Sequence, residues 1–191
     1  MDEQQAIQAL KLGDIGGLEV LVGIYQVKAI RTAYLISGDP QLAQDVVQDV
    51  FLQVYHSIKG FDSQRPFEPW FMRSVVHAAV KAARKAAREN PTGSRPGNTP
   101  EADEVWLGHW ATEQGSVEAQ VESGEFEREV WQAMGELSPR QRAVIVQRYF
   151  LEMSEKEMAL ELETAPGTIK WLLNAARERL RKLLGSERSA K

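Results

Sequence analysis

From Pro40 to Ile58 the apolar positions are Leu42, Val46, Val47, Val50, Phe51, Val54, Tyr55 and Ile58. Steps of three and four place them along one side of a helix. Asp39 can cap the first turn, Pro40 suits the first helical position and Gly60 suits the end. An earlier helical segment covers about Gly16 to Ser37, where Gly16, Gly17 and Gly23 weaken the pattern, as Gly13 does just before it. A third, rich in alanine, runs from about Pro66 to Glu89. No run of the chain alternates as a half-buried strand does, and no repeat is evident.

The C-terminal part has sharper punctuation. Ser138-Pro139 opens a helix reaching about Phe150. Ser154-Glu155-Lys156-Glu157 reads as a capping box before a short helix through Leu162. Glu163-Thr164-Ala165 is a tight connection, and Pro166 then opens a long helix to about Leu184. Its core positions are Ile169, Leu173, Ala176, Leu180 and Leu184. A short helix, a turn of three residues and a longer basic helix make a helix-turn-helix.

Between these parts lies Asn90-Pro91-Thr92-Gly93-Ser94-Arg95-Pro96-Gly97-Asn98-Thr99-Pro100, with three prolines and two glycines in eleven residues. That stretch cannot continue a helix. The pattern therefore predicts an all-α protein of two small helical domains, 1–90 and 125–187, joined by a flexible acidic linker over 91–124. Charge follows the same division. Of the net charge of −4, residues 1–90 contribute zero, 91–124 contribute −5 and 125–187 with the tail contribute +1. An acidic average thus hides two near-neutral domains with basic faces of their own.

The composition of the 191 residues, 43% hydrophobic and 26% charged, is that of a folded globular chain. There is no cysteine, which removes disulfides, thiolate metal sites and a cysteine nucleophile. His56, His77 and His109 are too scattered for a shared metal site. No cofactor is expected. No run approaches the roughly 18 apolar residues of a membrane span, and the N-terminus lacks the form of a signal peptide. The expectation is an intracellular protein without membrane insertion.

Three features carry candidate chemistry. The last helix holds Lys170, Arg177, Arg179, Arg181 and Lys182 against the single acid Glu178, as a helix lying on duplex phosphates requires. The helix after Pro66 carries Arg73, Lys81, Arg84, Lys85 and Arg88 with no acid between 73 and 88, and Phe61, Phe67, Trp70 and Phe71 precede or begin this run. Cations beside aromatic rings suit single-stranded nucleic acid, whose bases stack and whose phosphates pair. The same aromatics also fit a core, and the same cations a solvated face. Asp45, Gln48 and Asp49 form an acidic and amide face with no cation from 41 to 55, which is equally a dock for a basic protein helix or a solvated surface.

The order of these features resembles the extracytoplasmic-function sigma factors of bacterial RNA polymerase. Gly38-Asp39 through Gln44-Asp45-Val46-Val47-Gln48-Asp49-Val50-Phe51, then Pro66-Phe67-Glu68-Pro69-Trp70-Phe71-Met72-Arg73, is similar to sigma region 2. Leu137-Ser138-Pro139-Arg140-Gln141-Arg142, Arg148-Tyr149-Phe150 and Pro166-Gly167-Thr168-Ile169-Lys170 are similar to region 4. The resemblance implies that Asp45, Gln48 and Asp49 dock on the clamp helices of core RNA polymerase. It implies that Phe67, Trp70, Arg73, His77, Lys81 and Arg84 open and read the minus-ten element of promoter DNA. It assigns the minus-thirty-five element to Thr168, Lys170, Trp171, Asn174, Arg177 and Arg179. An anti-sigma factor or other regulatory protein is a further possible partner, and the polymerase performs all catalysis.

Three departures stand out. Val76 and His77 replace the family's usual arginine and asparagine, and His77 cannot reproduce the paired donor and acceptor of an amide. Glu163 replaces the usual turn glycine and would strain a left-handed backbone. Trp171, Leu172 and Ala175 replace polar and basic residues of the reading helix, leaving Trp171 and Leu172 partly exposed beside the buried stripe. That face then meets either thymine methyls, helped by Lys170 and Asn174, or protein. Trp106 and Trp110, four apart in the linker, suggest a fold-back onto one domain in the free protein. A regulator that binds duplex DNA without polymerase, or a sigma-like interaction module, is the competing reading.

Overall fold

In a computed structural model the backbone is described for residues 1–89 and 129–188, and side chains as far as Gly185. All regular structure among these residues is helical, without a strand. The linker and its Trp106 and Trp110 lie outside the described residues. The chain divides into two compact units, Met1–Pro91 and Thr92–Lys191.

The first unit contains α1 (Glu3–Lys11), α2 (Gly16–Ser37), α3 (Pro40–Ser57), a 3-10 turn (Ile58–Gly60) and α4 (Phe67–Glu89). Helix α1 does not show in the apolar pattern, because only Ala6, Ile7 and Leu10 are buried in it. Its signal is at its start: the Asp2 carboxylate accepts from the Gln5 amide while the Gln5 side chain accepts from the Asp2 amide, a capping box. Helix α2 ends on Gly38, whose φ of 72° puts it in the left-handed region that glycine enters freely. Asp39 Oδ1 then accepts from the amides of Gln41 and Leu42, as the sequence predicts for α3.

Gly17 shows why a weak helix former sits inside α2. A Cβ there would stand 2.2 Å from the carbonyl oxygen of Ala6, so glycine is what lets α1 lie directly on α2. The core beneath is aromatic. Phe67 and Phe71 stack at 5.8 Å, Tyr25 lies 5.5 and 5.6 Å from them, and Phe51 meets Phe71 at 4.8 Å. Burial, and then the hydrogen bond to the Glu3 carboxylate, hold the Tyr25 phenol well above its ordinary pKa. A Lys28–Glu68 ion pair ties α2 to the start of α4.

In the second unit residues 129–135 are helical (α5), followed by α6 (Pro139–Tyr149), α7 (Glu155–Glu161) and α8 (Pro166–Arg188). Ser154 makes the capping box with Glu157 that its spacing predicts, and Ser138, expected to start its helix, makes one as well, with Gln141. Hydrogen bonds from the Ser154 hydroxyl and amide hold the Glu157 carboxyl below its ordinary value. Glu163 has a φ of +47°, the left-handed conformation expected where a glycine is usual. The buried stripe of α8 differs from expectation. It consists of Ile169, Leu172, Leu173 and Ala176, whereas Leu180 and Leu184 are half-buried. Leu172 is 8% exposed, because steps of three and four from Ile169 include it on the core side.

Candidate polymerase and nucleic-acid interfaces

Helix α3 presents Asp45, Gln48 and Asp49 on its exposed side. Asp45 accepts from the Gln41 amide nitrogen at 3.0 Å, so its carboxylate is steered along the helix surface. Leu52 and Tyr55 continue the exposed strip as an apolar end. An acidic and amide patch with an adjoining apolar edge suits a basic, amphipathic protein helix.

The first two turns of α4 and the three that follow build the second surface. Trp70, Arg73, Ser74, His77, Ala78 and Lys81 fall at steps of three and four, and with Gln53 of α3 they line a groove of about 570 Å³. Four of the six residues expected at the minus-ten element thus share one groove. Arg84 is exposed one turn beyond it. Phe67 is the exception: at 1% exposed it has no ring surface for a base. The reason is packing, since Phe67 fills the space between Tyr25, Phe61, Trp70 and Phe71. It supports Trp70 from below and is not itself a contact surface in this conformation.

Trp70 is half-buried, with its ring 4.8 Å from Phe61 and 5.5 Å from Phe67. The groove therefore combines an indole with a guanidinium, an ammonium, an imidazole and an amide. This combination offers stacking and phosphate pairing within a single-stranded nucleotide's reach.

At the N-terminal end of α8, Thr168, Lys170, Trp171 and Asn174 are all exposed. Trp171 is 66% exposed and Leu172 is buried, so of the two large apolar replacements only Trp171 stands out in solvent. Arg177 is turned towards α6: its Nε donates to the Tyr149 hydroxyl at 2.9 Å. Arg179 faces Glu136 at 3.9 Å in an exposed pair, a weak constraint. The sequence places Arg177 and Arg179 with the reading residues, whereas the structure engages both with protein groups. Lys11 and Gln8, on α1, were not singled out by the sequence pattern, and their contacts appear only in three dimensions.

Comparison with known proteins bears on both units. Residues 21–89 match sigma-70 region 2, and residues 127–180 match sigma-70 region 4. The chain is 28% identical over 182 residues to the ECF RNA polymerase sigma factor SigW of Bacillus subtilis, covering 95% of this chain and 96% of that protein. It is 27% identical to the RNA polymerase sigma-H factor of Pseudomonas aeruginosa, over 95% and 93% of the two chains. Among solved structures, CnrH in complex with the cytosolic domain of CnrY has a TM-score of 0.61 at 22% identity, over 97% of this chain and 99% of that one. RpoE of Bartonella quintana, solved with the anti-sigma factor NepR, has a TM-score of 0.62 at 22% identity, over 87% and 96%. Two family regions in their proper order, on two helical units, together with relatives spanning nearly the whole length, place this chain among the extracytoplasmic-function sigma factors.

Proposed function

We infer that this chain is a dissociable promoter-specificity subunit, which binds core RNA polymerase and directs transcription initiation at its own class of promoters. The observation that carries this is the ordered pair of family matches, region 2 at 21–89 and region 4 at 127–180. The chain itself supplies no bond-making chemistry. It works in the cytoplasm, with the polymerase, and needs no cofactor.

In this reading residues 1–90 form the region 2 domain, 91–124 the tether and 125–187 the region 4 domain. Asp45, Gln48 and Asp49 meet basic groups on the polymerase clamp helices. Docking brings the α4 groove to the minus-ten element. There Trp70 stacks on an unpaired base, Arg73 and Lys81 pair with phosphates, and Arg84 extends the contact along the strand. His77 lines the groove with its Nε2 buried, so at most its other ring nitrogen stands in for the asparagine amide. Opening a duplex costs stacking energy, and the preformed groove returns part of it as contacts with the exposed strand. The exposed end of α8, with Thr168, Lys170, Trp171 and Asn174, lies in the major groove of the minus-thirty-five element.

A second use of region 4 is favoured by one observation. Trp171 and Leu160 are both large, apolar and mostly exposed, at 66% and 71%. Exposed apolar side chains of this size fit contact with protein, including a regulator of the kind that NepR is for its sigma factor. Run-off transcription with reconstituted holoenzyme tests both readings. Transcripts that require this chain support the sigma assignment, and none from any selected promoter fragment sinks it. Transcription that survives scrambling of the minus-thirty-five element gives the α8 face to protein.

A further inference from the structure

We propose that α1 is a bracket that holds the loop 61–66 in the shape that sets Trp70, with Lys11 as its positioning residue; the proposal rests on the sigma reading of the α4 groove. Helix α1 precedes the residues matched to region 2, which begin at 21.

The bracket is first anchored to the rest of the domain. Ala6, Ile7 and Leu10 are buried, and Gly17 leaves α2 bare where α1 crosses it. At the other end of the same helix the Tyr25 hydroxyl donates to Glu3. So α1 cannot slide or rotate without losing close packing.

From this fixed base Gln8 and Lys11, one helical turn apart, reach the loop. Lys11 Nζ donates to the Phe61 carbonyl oxygen at 2.5 Å and to Ser63 Oγ at 2.8 Å. Gln8 Nε2 donates to the same Ser63 oxygen at 3.2 Å. The ammonium also lies 5.9 Å from the centre of the Phe61 ring. Both Lys11 bonds are part-buried, where a charged donor on a carbonyl is stronger than in open water.

The consequence passes through one residue. Phe61, whose carbonyl Lys11 holds, packs its ring against Trp70 and against Phe67. Trp70 lines the groove with Arg73, His77 and Lys81. The backbone position of Phe61 therefore fixes where the indole stands. Ordering that loop before DNA arrives removes an entropy cost from strand capture. Lys11 touches no nucleotide in this scheme; it acts through Phe61.

The test compares wild type, Lys11→Met, Lys11→Arg and Ser63→Ala as holoenzymes. The template is a promoter fragment enriched from random sequence by the wild-type holoenzyme. Lys11→Met is expected to slow open-complex formation, read by permanganate reactivity of unpaired thymines, about tenfold. Affinity for core polymerase should stay within twofold, Lys11→Arg should recover most of the rate, and Ser63→Ala should lose less than Lys11→Met. In the free protein, amide hydrogen exchange across 59–66 should quicken in Lys11→Met while α3 keeps its protection. An opening rate within twofold of wild type overturns the proposal. So does a loss matched by equal loss of polymerase affinity, or unchanged exchange in the loop. If the wild-type chain starts no transcript, the sigma reading fails instead, and the exchange result still decides whether the bracket exists.

Discussion

Arg177 of α8 is held by Tyr149 of α6: the guanidinium donates to the hydroxyl at 2.9 Å and lies 5.7 Å from the ring centre. One cation of the basic helix is thereby committed to joining two helices of its own domain. We expect Arg177→Ala to destabilise the second unit by about 1 kcal/mol, combining a lost hydrogen bond and a lost cation–π contact at an exposed site. Chemical denaturation of the full chain checks this. The salt dependence of DNA binding should change little, which separates bracing from phosphate contact.

Lys170 should behave in the opposite way. It is exposed at the start of α8, and among the described residues no acid forms a close ion pair with it. Lys170→Ala is expected to reduce the slope of log affinity against log salt by about 1 for holoenzyme on its selected promoter. Trp171→Ala should weaken binding without altering that slope if the indole contacts thymine methyls. Equal affinity for DNA with reduced affinity for protein would give the residue to the second reading.

Asp45→Lys combined with Asp49→Lys should lower affinity for core polymerase at least about tenfold, because two attractions become repulsions. The fold should survive, since both side chains are exposed. Titration of labelled chain with core polymerase measures the first effect, and thermal unfolding the second.

Gly17→Ala should destabilise the first unit by about 1–3 kcal/mol, as overpacking against a backbone does. The obstacle is the Ala6 carbonyl oxygen, 2.2 Å from the new methyl, and α1 must shift to clear it. A fall in Tm together with faster exchange in α1 is the expected pair of observations.

Glu163→Gly should do the reverse in the second unit. Relief of a left-handed non-glycine backbone is worth about 1 kcal/mol, set against a more flexible unfolded chain. A Tm raised by a few degrees would confirm that the turn is under strain, and a lowered Tm would show that the Glu163 side chain earns more than its backbone loses.

Much of this molecule follows from local rules. The caps at Asp39, Ser138 and Ser154, the proline starts and the spacing of apolar residues are interactions within a turn or two of helix, so they can be read along the chain. The same holds for the groove of α4, because Trp70, Arg73, His77 and Lys81 follow from helical periodicity once the helix is placed. The left-handed Glu163 was legible only through the resemblance, in which a glycine usually stands at that turn. What only the tertiary structure decided are choices between chemically equal options. Phe67 and Trp70 are both aromatic, and packing against Tyr25 and Phe71 buries the first while leaving the second at the groove. Trp171 and Leu172 are neighbours, and the packing of α8 on α6 and α7 takes only Leu172 inside. Lys11 and Phe61 are fifty residues apart, and nothing in either segment foretells their meeting. Sequence determines what each turn of helix can do, whereas competition for a limited interior determines which of its residues must.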